Sequence, residues 1–378
     1  MTSFLARATC SAVIAVGIAV QSPAQAMSLR FLADANLPTG TQFQGSDLGG
    51  LSGLAFNAST KELFAISDDK SEMQPARAYT FKVDLAARSL VVTPIAMTTL
   101  FQKDGTTFPK LSIDPEGIVV LDSGSFLVAS EGFTGERSPR VDPAIYEISR
   151  SGRTLSALRL PEKVLPNAKG SQTKGVYDNG GLEALTLTPG QEHLFTATEN
   201  PLVQDDTPAD FTKTGKSRVL RYSLKGATTV VDGEFVYEVE ANIKPAGESA
   251  ADYGNGLTDM LALNNSELLV IERGGAVVGG RFITQVRLYK ASIGKTTTDV
   301  SGIDSLRGMK VIPMKKELLL DFETIIPQLS EGFRSIDNIE GIAFGPNLPN
   351  GQRTLIFVSD NNFNARQRTQ ILAFEIVE

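Results

Sequence analysis

The chain reads as short apolar runs separated by turns, and the runs recur in a fixed order. A first run opens each copy at 51–56, 115–120, 182–187, 258–263 and 339–344, as in Leu182-Glu183-Ala184-Leu185-Thr186-Leu187. Turns rich in Asn, Ser, Gly or Pro follow most of them, such as Asn57-Ala58-Ser59-Thr60 and Thr188-Pro189-Gly190, and these suit tight hairpins. A second run ends on an acid in every copy: 63–68, 126–131, 194–199, 268–272 and 356–360. A third alternates with the period of two expected of strands, at 79–83, 145–148, 219–224, 286–290 and 371–376. A fourth, more variable run follows, for example at 234–240 and 318–322.

Four strands recurring at intervals of roughly 65 to 85 residues predict an all-β chain, a β-propeller with five recognisable four-stranded blades. A sandwich would show turns every ~8–12 residues without the higher-order period. The stretch 291–337 leaves room for a sixth, degenerate blade. The fifth copy ends after its third strand, so residues 29–33 are expected to supply its outer strand, closing the ring and covering an edge open to aggregation.

The first residues add a location. Arg7, the apolar run 11–20 and Ala24-Gln25-Ala26 read as a cleaved signal peptide over 1–26, leaving one domain at 27–378 that is periplasmic or secreted. The apolar run is too short to span a bilayer, which takes about 20 apolar residues. Cys10 is the one cysteine and leaves with the signal, so stability must come from the core rather than from disulfides. The formal net charge of −7 becomes more negative without Arg7, which disfavours nucleic acid and anionic membranes as partners and tolerates cations. A monomer acting on a small anionic molecule is expected.

The repeated acids set the chemistry. In a blade, the start of the first strand and the end of the second lie at the same end of the sheet. Glu116, Glu183, Asp259 and Glu340 open first strands, and Asp68, Glu131, Glu199, Glu272 and Asp360 close second strands. Ring closure should gather them at one mouth of the central channel. Two carboxylates ~4 Å apart repel by about 4 kcal/mol at an effective dielectric of 20, so protons, arginines or a metal must offset them. Oxygen ligands without His or Cys favour a hard cation such as Ca²⁺, for which Asp68, Glu131, Glu199, Asp259, Glu272 and Asp360 are candidate ligands. Asp69 and the adjacent Asn200, Asn255, Asn338, Asn361 and Asn362 offer further oxygens. Glu116, Glu183 and Glu340 are candidates for general base. Arg77, Arg137, Arg140, Arg273 and Arg366 follow second strands and are candidates to bind an anionic substrate, since the guanidinium fork matches phosphate and carboxylate. The competing structural reading is that single acids cap loops and single arginines balance them.

Other chemistries are disfavoured. His193 is the one histidine and is expected at the opposite end from the acids, which argues against a Ser-His-Asp site and against histidine-bound zinc. No Gly-x-Ser-x-Gly elbow is present.

Several segments resemble the bacterial phytase-like domain family, whose members are described as esterase-like proteins of the phytase family. They are Asp337-Asn338-Ile339-Glu340-Gly341-Ile342-Ala343-Phe344, Val358-Ser359-Asp360-Asn361-Asn362, Gly181-Leu182-Glu183-Ala184-Leu185 and Ser217-Arg218-Val219-Leu220-Arg221-Tyr222. The resemblance covers essentially the whole of 27–378. It implies a propeller and calcium-assisted hydrolysis of phosphate esters, at the level of fold and reaction class. Two other readings stay open: hydrolysis of lactones or carboxylic esters, as in gluconolactonase-like propellers, and a non-catalytic binding module in which a metal clamps the channel and loops 132–143 and 201–217 hold a ligand.

Overall fold

The computed structural model describes residues 27–134, 140–225, 229–245 and 249–377. The signal-peptide reading over 1–26 and Arg137 therefore lie outside the described residues.

Five four-stranded antiparallel sheets are arranged as the blades of a propeller. From the channel outward, blade 1 is Leu51–Asn57, Glu62–Ser67, Arg77–Ala86 and Ser89–Thr99. Blade 2 is Pro115–Val120, Phe126–Ser130, Ala144–Ile148 and Thr154–Leu158, and blade 3 is Leu182–Leu187, His193–Thr198, Gly215–Ser223 and Val230–Val239. Blade 4 is Ala250–Ala262, Glu267–Val278, Arg281–Ser292 and Lys315–Asp321. Blade 5 is Asn338–Phe344, Thr354–Asp360 and Thr369–Val377, with Ser28–Leu37 as its outer strand, paired antiparallel from Ser28↔Val377 to Leu37↔Thr369.

The stretch with room for a sixth blade does other work. Residues 293–314 return to the edge of blade 3, where the Val300 and Met314 amides donate to the Glu234 and Val236 carbonyls at 2.8 Å each. Lys315–Asp321 then completes blade 4, and a short 3₁₀ helix, Phe322–Gln328, lays Phe322 edge-on against Phe357 and Phe374 at 5.1 and 6.0 Å. No sixth four-stranded blade is formed among the described residues, the one further sheet being the two-stranded hairpin of Gln42–Phe43 and Ser46–Asp47.

The core lies between blades. Alternate residues of facing sheets interlock, as where Leu269, Ile271 and Leu288 of blade 4 pack with Ile342, Phe357 and Phe374 of blade 5. Each such side chain, fully buried, contributes roughly 1.5–3 kcal/mol, and this replaces the disulfides the sequence lacks. The inner strands approach one another so closely that glycine is required at some crossings. A Cβ on Gly117 would stand 2.7 Å from Leu185 Cβ, and one on Gly341 2.6 Å from the Ser52 carbonyl oxygen.

Each inner strand carries a register shift at the channel mouth: at 51–54, 115–117, 182–184, 257–259 and 339–341. A bulge of this kind inserts one residue opposite none and turns it out of the ladder. The inserted residues are Glu116, Glu183 and Glu340 in blades 2, 3 and 5, with Ser52 at the corresponding place in blade 1 and Thr258 in blade 4.

Candidate functional site

That register corrects the alignment of blade 4 by one residue. Ser67, Ser130, Thr198 and Ser359 pair with the residue ahead of the bulge, and the acid comes next: Asp68, Glu131, Glu199 and Asp360. In blade 4 the partner of Leu257 is Glu272, so the place of the acid falls to Arg273. Likewise Thr258, not Asp259, holds the inner-strand position, and Asp259 stands where blades 2 and 5 have Gly117 and Gly341.

Asp259 and Glu272 accordingly leave the expected set. Asp259 is a clasp between blades: its carboxylate accepts the Met260 amide at 2.8 Å, the Ile342 amide of blade 5 at 2.9 Å and the Leu185 amide of blade 3. Burial still raises its pKa well above the carboxylate range despite those donors. Glu272 is turned outward. It accepts from Tyr237 Oη at 2.7 Å, the Glu240 amide at 3.0 Å, Asn255 Nδ2 at 2.9 Å and Lys316 Nζ at 2.6 Å.

The other acids converge. Asp114, Glu116 and Glu131 bring one carboxylate oxygen each within 4.8 Å of one another, as do Glu131, Glu183 and Glu199. Ser52 Oγ joins blades 2 and 5 by hydrogen bonds to Glu116 at 2.6 Å and Glu340 at 3.1 Å. Asn338 Nδ2 donates to Glu340 at 2.9 Å and to Asp360 at 3.4 Å. Asp68 faces Asp360, Glu340 and Asp114 across the mouth. Gly181 and Gly256 leave the room in which Glu131 and Glu199 lie, and the Gly181 amide donates to Glu131 at 2.9 Å.

Among the described residues, two cations enter this ring. Arg273 Nη2 is 2.9 Å from Glu340 and 3.6 Å from Glu199, and Lys70 Nζ is 2.5 Å from Asp114. Lys70 and Asp114 escaped sequence reasoning. The signal for Asp114 was its place two residues ahead of the inserted Glu116, where other blades carry Gly50, Gly181, Gly256 and Asn338. Lys70 had none beyond following Asp68-Asp69, since only the folded loop brings it to blade 2.

The expected substrate arginines separate. Arg77 is 1% exposed and committed, with Nη1 2.8 Å from Asp69 and Nε 2.7 Å from Tyr79 Oη, so it braces a loop and faces no ligand. Asp69 is likewise taken up by Arg77 and by the amides of Glu72, Met73 and Gln74. Arg140 donates to the Gly170 carbonyl at 2.8 Å and to Gln172 at 3.0 Å, within loop structure. Arg366 is exposed on the loop after blade 5's second strand. Only Arg273 of the described candidates joins the acids. His193 stands at the other end of its strand, 3.5 Å from Asp232.

Charge dominates the electrostatics. Burial first, then facing acids, hold Asp68, Glu116, Glu131 and Glu183 well above the ordinary carboxylate range. Burial pushes Glu199 up to about 7, against the pull of Arg273, and burial with Glu340 beside it pushes Asp360 up to about 8. Burial would lower Lys70, but Asp114, Glu131 and Glu116 overcome it and raise it.

A carboxyl raised in the fold binds a proton the unfolded chain has already released. Its contribution to stability is complete below the ordinary value near ~4 and is lost as pH rises through the folded value. The metal-free protein is therefore expected to lose stability from about pH 4 to about pH 8, on the order of 1.4 kcal/mol per pH unit for each proton carried. A divalent cation favours the ionised acids, so its stabilising effect grows with pH. Thermal scans with chelator or calcium across that range check both signs.

The donor set fits a hard cation. It is all oxygen, and the Asp114 side chain is fully buried with Oδ1 accepting no hydrogen bond.

The sequence model of the family described as "Phytase-like: Esterase-like activity of phytase" matches residues 46–363. The chain belongs to this phytase-like family. An uncharacterized secreted protein of Arthroderma benhamiae is 24% identical over 196 residues, covering 46% of this chain and 36% of that protein. The chain thus matches just over a third of the length of that curated relative. Among solved structures, an endo-arabinase from Bacteroides thetaiotaomicron is 10% identical with a TM-score of 0.41, covering 91% of this chain and 96% of its own. A gluconolactonase from Xanthomonas campestris is 10% identical with a TM-score of 0.32, covering 95% and 98%. Family membership and the buried acidic groups that could hold a metal ion stand together in this propeller. No helix among the described residues is long and apolar enough to cross a membrane.

Proposed function

We propose that this phytase-like protein is an exported, metal-dependent hydrolase of phosphate esters, with Ca²⁺ the preferred ion. The observation that carries the reading is the convergence of buried carboxylates from blades 1, 2, 3 and 5 on one mouth, with Arg273 of blade 4 among them. Glu131, Glu183 and Glu199 would hold the ion, with Asp114 and Glu116 adjoining. When bound, such an ion supplies a more acidic water and screens the charge of an anionic ester.

The chain's own residues divide the remaining work. Arg273 is anchored through Nη2 to Glu340, while no hydrogen bond engages its Nε, so its fork is held rigid beside the mouth for an anionic oxygen. Glu183 has no hydrogen-bond donor or lysine committed to it among the described residues, and its carboxylate is the one placed to take a proton from water. Glu116 and Glu340 are fixed by Ser52, which holds their carboxylates in place and suits them less to proton transfer.

A soluble monomer acting on a small anionic ester completes the proposal, with neither nucleic acid nor membrane as partner. Protein stripped with chelator and reloaded with calcium should release phosphate from phytate or an aryl phosphate. Release of acid from a lactone or carboxylic ester panel, without phosphate release, would replace the phosphate reading. Calcium that raises the melting temperature with no turnover on either panel would leave a binding module.

A further inference from the structure

The two acidic groups at the mouth share Glu131 but differ in their countercharge. Lys70 Nζ stands 2.5 Å from Asp114 Oδ2, within the group of Asp114, Glu116 and Glu131. In the group of Glu131, Glu183 and Glu199, the nearest ion-pair partner is Arg273, which reaches Glu199 only at 3.6 Å because Nη2 lies 2.9 Å from Glu340.

Lys70 is delivered to its place by the fold. Its carbonyl accepts the Leu111 amide at 2.8 Å, the preceding Asp69 is locked to Arg77, and the ammonium lies 5.0 Å from the centre of the Phe133 ring. Asp114 is fully buried, its Oδ2 meets the Lys70 ammonium, and no N–H or hydroxyl donor of the described structure reaches its Oδ1. A buried carboxylate with one oxygen on an ammonium and the other without a donor is a place built around a cation.

We infer that Lys70 is a tethered counter-ion filling the Asp114–Glu116–Glu131 group. The first divalent ion then enters the Glu131–Glu183–Glu199 group, and a second is admitted only if the ammonium withdraws. An ammonium and a divalent ion cannot share the same few oxygens, because at contact distance in a buried site their repulsion is large. Lysine suits this role better than arginine: it is a compact charge on a flexible stem and can swing out without breaking a two-pronged hydrogen bond. The inference rests on the metal-dependent reading above and adds to it which group fills first and what excludes the second ion.

Calorimetric titration with calcium alone, on chelator-stripped protein, tests it. The unaltered chain and Lys70→Arg are expected to take up about one ion, and Lys70→Met about two, with the first bound at least about tenfold more tightly than in the unaltered chain. Unchanged stoichiometry and affinity in Lys70→Met, or two ions in the unaltered chain, overturns the inference while leaving the metal reading in place. No calcium uptake by the unaltered chain overturns both. If Lys70→Met folds only with calcium present, the ion is replacing the ammonium, as inferred. If it folds under neither condition, the double change Lys70→Met/Asp114→Asn removes both charges together. Retention of the single site there supports the inference, and its loss places the first ion on Asp114 and overturns it.

Discussion

Glu183→Gln is expected to lower ester hydrolysis by about 100-fold or more, the scale of losing a positioned general base, while leaving the fold intact. Glu183 projects from the bulge of blade 3 between Glu131 and Glu199, and no hydrogen bond of the described structure depends on its charge. In the metal-free protein burial, then the facing Glu116, Glu131, Glu199 and Glu340, raise its pKa well above the ordinary carboxylate range and favour its protonated form, whereas a bound cation would favour the carboxylate that the base role needs. Neutral glutamine is close to that protonated form in shape and charge. The metal-free variant should therefore match or exceed the parent in melting temperature, and calcium should stabilise it less. Turnover on the ester panel alongside thermal scans checks this. Full turnover with calcium stabilisation intact would remove Glu183 from both base and ligand roles.

Arg218→Met is expected to destabilise the protein by about 3–5 kcal/mol, the range for breaking a buried charge network from one side. Arg218 is fully buried in blade 3, where Nε and Nη2 grip both oxygens of Asp205 at 2.6 and 3.0 Å and Nη1 reaches Glu234 and the Ile303 carbonyl. Lys163 stands 3.2 Å from Glu234, and the Leu306 amide donates to Asp205 at 2.7 Å. One guanidinium thus fastens the loop after Glu199 to the strand edge and to the long return segment. The methionine would leave Glu234 with Lys163 as its cation and Asp205 with the Leu306 amide but no cation. The denaturation midpoint reads the loss. Lys82→Met, in an exposed pair with Asp84, should stay within about 0.5 kcal/mol.

Much of the architecture was legible because a propeller repeats its instructions. Alternation with a period of two, hairpin turns and an acid after each second run exposed the blades. The short fifth copy pointed to Ser28–Leu37 as its missing strand. The apparent sixth copy was a matter of length, and the intervening residues proved to be a return segment and a 3₁₀ helix.

The site was legible in outline and wrong in register at one blade. Thr258-Asp259 and Glu272-Arg273 each offer an acid adjacent to the expected position, and alignment by acidity chose it. A Ser or Thr precedes the acid in blades 1, 2, 3 and 5, whereas Ile271 precedes Glu272, and that difference was the available signal. Arg77 and Arg140 show the opposite limit. Their type suited an anion, but their neighbours had already claimed them.

By itself, then, the sequence determined the repeat, the strands within it and the presence of acids at one end of each sheet, because these follow from local periodicity. The tertiary structure alone decided which acids meet. A bulge shifts a side chain by one residue, and a loop such as that bearing Lys70 crosses from one blade to the next. Those displacements of a few ångströms determine whether a carboxylate faces another charge, a backbone amide or an ammonium, and so what the mouth of the channel can bind.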